Sequence, residues 1–103
     1  MKMIVCGAGQ VGSQIARSLS DEGNSVTVID QDGALVRRVT DAFDVSGVTG
    51  FASHPDVLAR AGAMDADMLI AATSMDEVNM VACQVAHSGF EVPTKIARVR
   101  TES

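Results

Sequence analysis

Aromatic side chains are almost missing from this chain: there are three Phe, no Tyr and no Trp. The core must therefore come from Val, Ile, Leu, Ala and Met, which suits a sheet covered by helices on both faces. Long apolar runs are missing too. The longest near a predicted strand is Met68 to Ala72, far below the roughly 20 residues of a membrane helix. Met1-Lys2 runs straight into an apolar strand without the h-region and cleavage site of a signal peptide. The expectation is a soluble chain at its own N-terminus, with no direct membrane insertion. Positive charge is scarce: 8 Lys and Arg stand against 13 Asp and Glu, a net charge of −5. That balance argues against a nucleic-acid partner. Cys6 and Cys83 are the only cysteines, on separate predicted elements and without CxxC spacing. They read as buried reduced thiols of a cytosolic protein, not as a disulfide or metal pair. His54 and His87 have no ligand-spaced partners. One local absence weighs more than these totals. Residues 1 to 20 hold Lys2 and Arg17 but no Asp or Glu, so whatever binds at that end of the fold meets a neutral-to-positive field.

What is present is enough for one small domain: 103 residues, 47% of them hydrophobic, can bury a core. Short apolar runs at Met3–Cys6, Val26–Ile29, Val45–Val48, Met68–Ala72 and Ile96–Val99 predict five strands. Several are nearly continuous in apolar residues, as in parallel strands buried on both faces. Helix-period segments lie between them. Val11, Ile15 and Leu19 fall on one face; Leu35, Val39 and Phe43 repeat the spacing, with Val36 and Ala42 widening the stripe. A short third helix is expected from about Pro55 to Ala61, and Val78, Val81, Ala82 and Val85 mark a fourth. Ser53-His54-Pro55-Asp56 and Ser74-Met75-Asp76-Glu77 fit the capping box, and Gly23 and Gly62 stand where helices end in a left-handed residue. The order β-α-β-α-β-α-β-α-β predicts an α/β, Rossmann-like, doubly wound parallel sheet.

The first turn carries chemistry. A lone GxGxxG is weak, but Gly7-Ala8-Gly9-Gln10-Val11-Gly12 follows a predicted strand and opens a predicted helix, and the second strand ends at Asp30. That context matches the dinucleotide fingerprint. Gly7 makes the tight turn, Gly9 lets backbone amides approach a pyrophosphate, and Gly12 lets the helix sit close to the strands. The helix N-terminus offers free N–H groups and partial positive charge. Asp30 would accept from the adenosine ribose hydroxyls and repel a 2′-phosphate, which favours NAD over NADP. Arg37 and Arg38 lie near in sequence and are read as solvated residues of the second helix. ATP and ADP carry the same adenosine ribose and stay candidates for the groove.

With these residues the whole chain resembles the N-terminal nucleotide-binding modules of the RCK/KTN family, regulators of bacterial Trk-type potassium uptake. The more specific part lies beyond the glycine loop and Val28-Ile29-Asp30. It comprises Gly50 with Ser53 to Leu58, Ala63 to Asp67, Thr73-Ser74 through Asp76, Asn79 to Gln84, and Ile96 to Arg100. The resemblance implies NAD(H) lying across the strand ends, contacted by Gly7 through Val11, by Asp30, by Thr73-Ser74 and by Arg98. Thr73-Ser74 also fits simple N-capping, and Arg98 a surface or dimer contact. An Asp commonly follows the glycine after the third strand; Phe51 stands there here, either to pack against the adenine or to close the core. Asp76 and Glu77 already complement the fourth helix dipole, so no pyrophosphate is expected there.

Family modules continue into a sixth strand, a pairing helix and a C-terminal subdomain, so the chain reads as a fragment ending after its fifth strand. The resemblance further implies self-association of the full-length protein. It implies a Trk-type membrane potassium transporter subunit as partner, and a cytoplasmic location at the inner face of the membrane. Three readings follow: a non-catalytic NAD(H) sensor, the cofactor half of an NAD-dependent dehydrogenase, and a partner-binding domain with a vestigial loop. The first is favoured, because 103 residues leave no substrate domain.

Overall fold

The computed structural model of the chain describes residues 1–100. The elements alternate as the periodicity predicts: β1 Lys2–Cys6, α1 Gln10–Asp21, β2 Ser25–Asp30, α2 Gly33–Ala42, β3 Ser46–Thr49, α3 Pro55–Arg60, β4 Met68–Ala71, α4 Asp76–Phe90 and β5 Thr94–Ala97. A 3-10 turn, Ala63–Asp65, precedes β4. The strands form one parallel sheet in the order β3-β2-β1-β4-β5. The chain therefore winds outward from β1 to β3, crosses back, and resumes beside β1 with β4. This is the Rossmann-like arrangement, with its switch point between the carboxyl ends of β1 and β4.

Successive residues of a strand face opposite sides, and both sides of this sheet are covered. Ile4, Cys6, Ile29, Leu69 and Ala71 pack with Leu58, Ala82 and Ala86 from α3 and α4. Val5, Val26 and Val28 pack with Ala16 of α1 and Val39 of α2. The near-continuous apolar character of β1 and β2 follows from this double burial.

Several local expectations shift. β5 lies two residues earlier than the apolar run Ile96–Val99, because pairing with β4 starts at Thr94 opposite Met68. As an edge strand it is only half packed, and Ile96 and Val99 are exposed, so hydrophobic density is a poor guide to its limits. On α1 the buried positions are Gly12 and Ala16, with Val11 exposed; small residues bring the helix close to the sheet. Ala42 and Val81 are likewise turned outward. Phe43 is the extended C-cap of α2, and the Arg17 guanidinium sits 5.6 Å over its ring.

Neither expected capping box forms. The N-caps of α3 and α4 are His54 and Met75, without side-chain bonds. Pro55 at the first position of α3 forces the residue before it into extended backbone, which moves the cap from Ser53 to His54. At α4 the Thr73 hydroxyl bonds Met75 and Asn79, leaving Ser74 one residue ahead of the cap. The side-chain cap that does form is at α2, where Asp32 accepts from the Ala34 N–H at 3.0 Å. Gly23 and Gly62 adopt left-handed backbone, φ 90° and 91°, as the helix ends predict.

Candidate nucleotide-binding cleft

The cleft forms where β1 and β4 part. Gly7 leaves β1 with φ 108° and donates its N–H to the Ile29 carbonyl at 2.7 Å. A Cβ at Gly7 would lie 2.7 Å from the Ala72 carbonyl oxygen. A Cβ at Gly12 would collide with the Gly7 carbonyl oxygen. These two glycines close the turn against β4 and α1. Gly9 is different: nothing lies within 4 Å of where its Cβ would be, so that space is open to a ligand.

Gly9 is also the N-cap of α1, and it has no side chain to bond the helix amides. The first turn of α1 contains no acid. In contrast, Asp32 caps α2, Asp56 sits in the first turn of α3, and Asp76 and Glu77 sit in that of α4. Of these four helices, α1 alone keeps the positive end of its dipole uncompensated.

Asp30 ties the glycine turn to the end of β2. One carboxylate oxygen accepts from the Ala8 N–H and the other from the Asp32 N–H, both at 2.8 Å. Each oxygen retains a second lone pair, and Asp30 lines the cleft.

The cleft has a volume of about 500 Å³. It brings together Gly7, Gly9, Gln10, Val11, Asp30, Phe51, Thr73, Ser74 and Arg98. Ala8 and Gly12 do not line it. Both are buried, Ala8 with its amide held by Asp30 and Gly12 beneath the Gly7 carbonyl, so their part is to shape the loop. Phe51 does not close the core: it is 47% exposed on the cleft wall, its ring 5.4 Å from that of His54.

The opposite wall is organised by a residue to which sequence reasoning assigned no role in the site. Asn79 of α4 is completely buried. Its Oδ1 accepts from the Thr73 N–H at 2.9 Å and the Thr73 hydroxyl at 2.7 Å. Its Nδ2 donates to the carbonyls of Thr73 and Arg98, at 3.1 and 2.9 Å. The available signal was a polar residue on the stripe Asn79, Ala82, Ala86, where a buried amide must find partners. Arg100 was also missed. It lines the cleft, its guanidinium donates to the Ser74 carbonyl at 3.1 Å, and its N–H donates to Asp76 at 3.2 Å.

The ionisable side chains on the cleft wall are Asp30, Asp32, Arg98 and Arg100. Both cysteines lie elsewhere and are free. Burial, with a smaller push from nearby Cys83, raises the Cys6 thiol to about 12. Burial also raises Cys83, against the opposing charge of Lys95. Among the described residues no group of His, Cys, Asp and Glu is placed to hold a metal ion, and no helix is long and apolar enough to cross a membrane.

Comparisons with known proteins agree with this architecture. The Trk system potassium uptake protein TrkA of Azorhizobium caulinodans is 58% identical over 103 residues, covering all of this chain and 22% of that protein. The protein of the same name from Vibrio alginolyticus is 50% identical over 101 residues, covering 98% of this chain and 22% of its own length. The chain thus spans about a fifth of the length of these relatives. The crystal structure of the TrkA-N domain of inner membrane protein ybaL from Escherichia coli shares the fold. It has a TM-score of 0.87 at 21% identity, over 97% of this chain and 73% of that one. The AMP-bound form of the Shewanella denitrificans Kef CTD has a TM-score of 0.79 at 25% identity, over 93% and 57%. The family described as TrkA-N domain matches residues 3–103, and the chain belongs to it.

Proposed function

We propose that this chain is a non-catalytic, NAD(H)-binding regulatory module of a Trk-type potassium uptake system, in which the bound nucleotide modulates transport by the membrane subunit. The observation that carries the reading is the bare N-terminus of α1 opening into the cleft across from Asp30. Free amides, an uncompensated helix dipole and open space at Gly9 suit a pyrophosphate. Asp30 suits the ribose hydroxyls of the attached adenosine, and Asp32 beside it adds repulsion against a 2′-phosphate. AMP in the related Kef CTD supports assigning this half to an adenosine phosphate. ADP and ATP share that half and compete for it.

In this reading Gly7, Gly9, Gln10 and Val11 receive the pyrophosphate, Ala8 shapes the turn through its bond to Asp30, Asp30 holds the ribose, and Phe51 borders the base. Thr73, Ser74 and Arg98 meet the part of the ligand beyond the AMP unit. The nicotinamide, when bound, is a reporter of redox state and not a hydride donor to a second substrate. Among the described residues no His, Tyr or Lys lines the cleft as a general acid toward a carbonyl. The relatives' names, Trk system potassium uptake protein, support a potassium transporter as the partner; self-association and a cytoplasmic position belong to the proposal.

Calorimetric titration of this chain with NADH, NAD, ATP and ADP tests the reading. Saturable binding of NADH and NAD, with ADP competing, is expected. No saturable binding of any of the four overturns it. Sustained protein-dependent oxidation of NADH by keto acids overturns the non-catalytic part and favours a dehydrogenase.

A further inference from the structure

Asn79 is the one polar side chain fully buried among the described residues, and what it holds is unusual for a core amide. The last backbone rung between β4 and β5 is the Arg98 N–H donating to the Ala71 carbonyl at 2.8 Å. Beyond that rung the two strands part, and the Thr73 backbone and the Arg98 carbonyl have no ladder partner across the gap. The Asn79 carboxamide fills the gap with its bonds to Thr73 and to the Arg98 carbonyl. Both ends of the amide are thereby used, which accounts for a polar group in an Ala-lined interior.

The two residues so joined are those that face the cleft opposite the glycine turn. The Thr73 hydroxyl makes its shortest contact, 2.7 Å, with Asn79. Of the two acceptors within reach of its single proton, Asn79 Oδ1 at 2.7 Å and the Met75 carbonyl at 3.1 Å, the shorter contact is the inward one, and the oxygen is left to accept from the Met75 N–H at 3.2 Å and from the cleft. The glycine turn and Asp30 are held by separate bonds, to Ile29, Ala8 and Asp32, and none of these runs through Asn79.

We infer that Asn79 is a positioning residue for one half of the cleft. It sets Thr73 and Arg98 for the portion of a dinucleotide beyond the AMP unit, and leaves the AMP half untouched. The inference rests on the nucleotide reading above. It adds that specificity for the second half of the ligand is fixed from inside α4, by a residue that itself contacts no ligand.

The test is a pair of affinities, AMP and NADH, measured by calorimetry on this chain and on its Asn79→Ser and Asn79→Asp variants. NADH affinity should fall about tenfold in both variants while AMP affinity stays within threefold. A general loosening of the fold would weaken both ligands, so the split separates positioning from mere structural support. In case the variants fail to fold, the side-chain NH2 resonances of Asn79 in the parent protein supply a second readout. They should move when NADH is added and stay in place with AMP. A parent chain that binds neither nucleotide overturns the nucleotide reading and this inference with it. A parent that binds both, with variants losing both alike or neither, overturns the inference alone, as do Asn79 resonances that respond equally to AMP.

Discussion

The two turns that flank the cleft have the same plan, a strand leading through a short loop into a helix, and they are finished in opposite ways. At β1–α1 the loop is Gly7-Ala8-Gly9, and α1 begins with neither a side-chain cap nor an acid. At β4–α4 the loop is Ala72 to Met75. Its polar groups are spent on Asn79 and Arg100, and Asp76 and Glu77 fill the first turn of the helix. The first turn is left unsatisfied and can receive an anion. The second is satisfied internally and repels one, so it can contribute shape and single hydrogen bonds only. An elongated nucleotide laid across both should be held through its phosphates on one side and discriminated on the other. A ligand shifts a conformational equilibrium only through differential affinity for the two states. The shared adenosine diphosphate half is therefore a poor origin for a redox-dependent signal.

The strongest way to break this contrast is at Gly9. Gly9→Val places a branched side chain in the open space facing the ligand and should weaken NADH more than 100-fold, about 2.7 kcal/mol or more, with an unchanged melting temperature. Gly12→Ala should do the reverse, lowering the melting temperature sharply as its methyl meets the Gly7 carbonyl. Titration and thermal unfolding of both variants check the pair.

Next in size is Asp30→Ala, expected to weaken NADH by about 1.5–3 kcal/mol through loss of a charged acceptor. NADPH should lose less, because the repulsion disappears with the acceptor. An unchanged ratio of NADH to NADPH affinity would remove the ribose assignment. The same change frees the Ala8 and Asp32 amides, so some stability is lost as well.

A third expectation concerns the thiol that ends β1 directly under the glycine turn. Folded Cys6 keeps its proton up to about 12, against 9.0 for the ordinary thiol. Between those values the unfolded chain has released the proton and the native one has not. Stability therefore falls as pH rises above 9.0, by about 1.4 kcal/mol per pH unit, and Cys6→Ser should flatten that slope in denaturant titrations. Cys83, half-buried on α4, should meanwhile be alkylated well before Cys6.

The smallest expected effects sharpen the far side. Thr73→Ala and Arg98→Ala should each change NADH affinity less than tenfold, under about 1.4 kcal/mol. Under the regulatory reading proposed above, the same changes in a full-length TrkA should flatten the difference between NAD and NADH in transport assays. Asp30→Ala should weaken both ligands alike in the same assays.

The difference between the two sides also governs how much the sequence revealed. The glycine turn was legible because its requirements are local: spacing of Gly7, Gly9 and Gly12 after an apolar strand, and Asp30 at the end of the next. The strand and helix order was legible for the same reason, since burial on both faces of β1 and β2 leaves continuous apolar runs. The β4–α4 side was not legible in detail. Thr73 and Ser74 resembled a helix cap, yet a tertiary partner, Asn79, claims Thr73 and displaces the cap to Met75. β5 was misplaced by two residues because an edge strand lacks the packing that writes a pattern into sequence. Ala8 was read as a ligand contact from its place in the motif, and only the structure shows it buried with its amide held by Asp30, whereas Gly12 sits beneath the loop as its packing role requires.

The contrast between the two turns assigns the phosphates to β1–α1 and not to β4–α4. The position of the pyrophosphate in a crystal structure of this chain with NADH tests it most directly. The two phosphates should lie at the N-terminus of α1, over Gly9, with the ribose at Asp30. Phosphates found instead against Thr73 and Ser74 at the start of α4 would contradict that assignment.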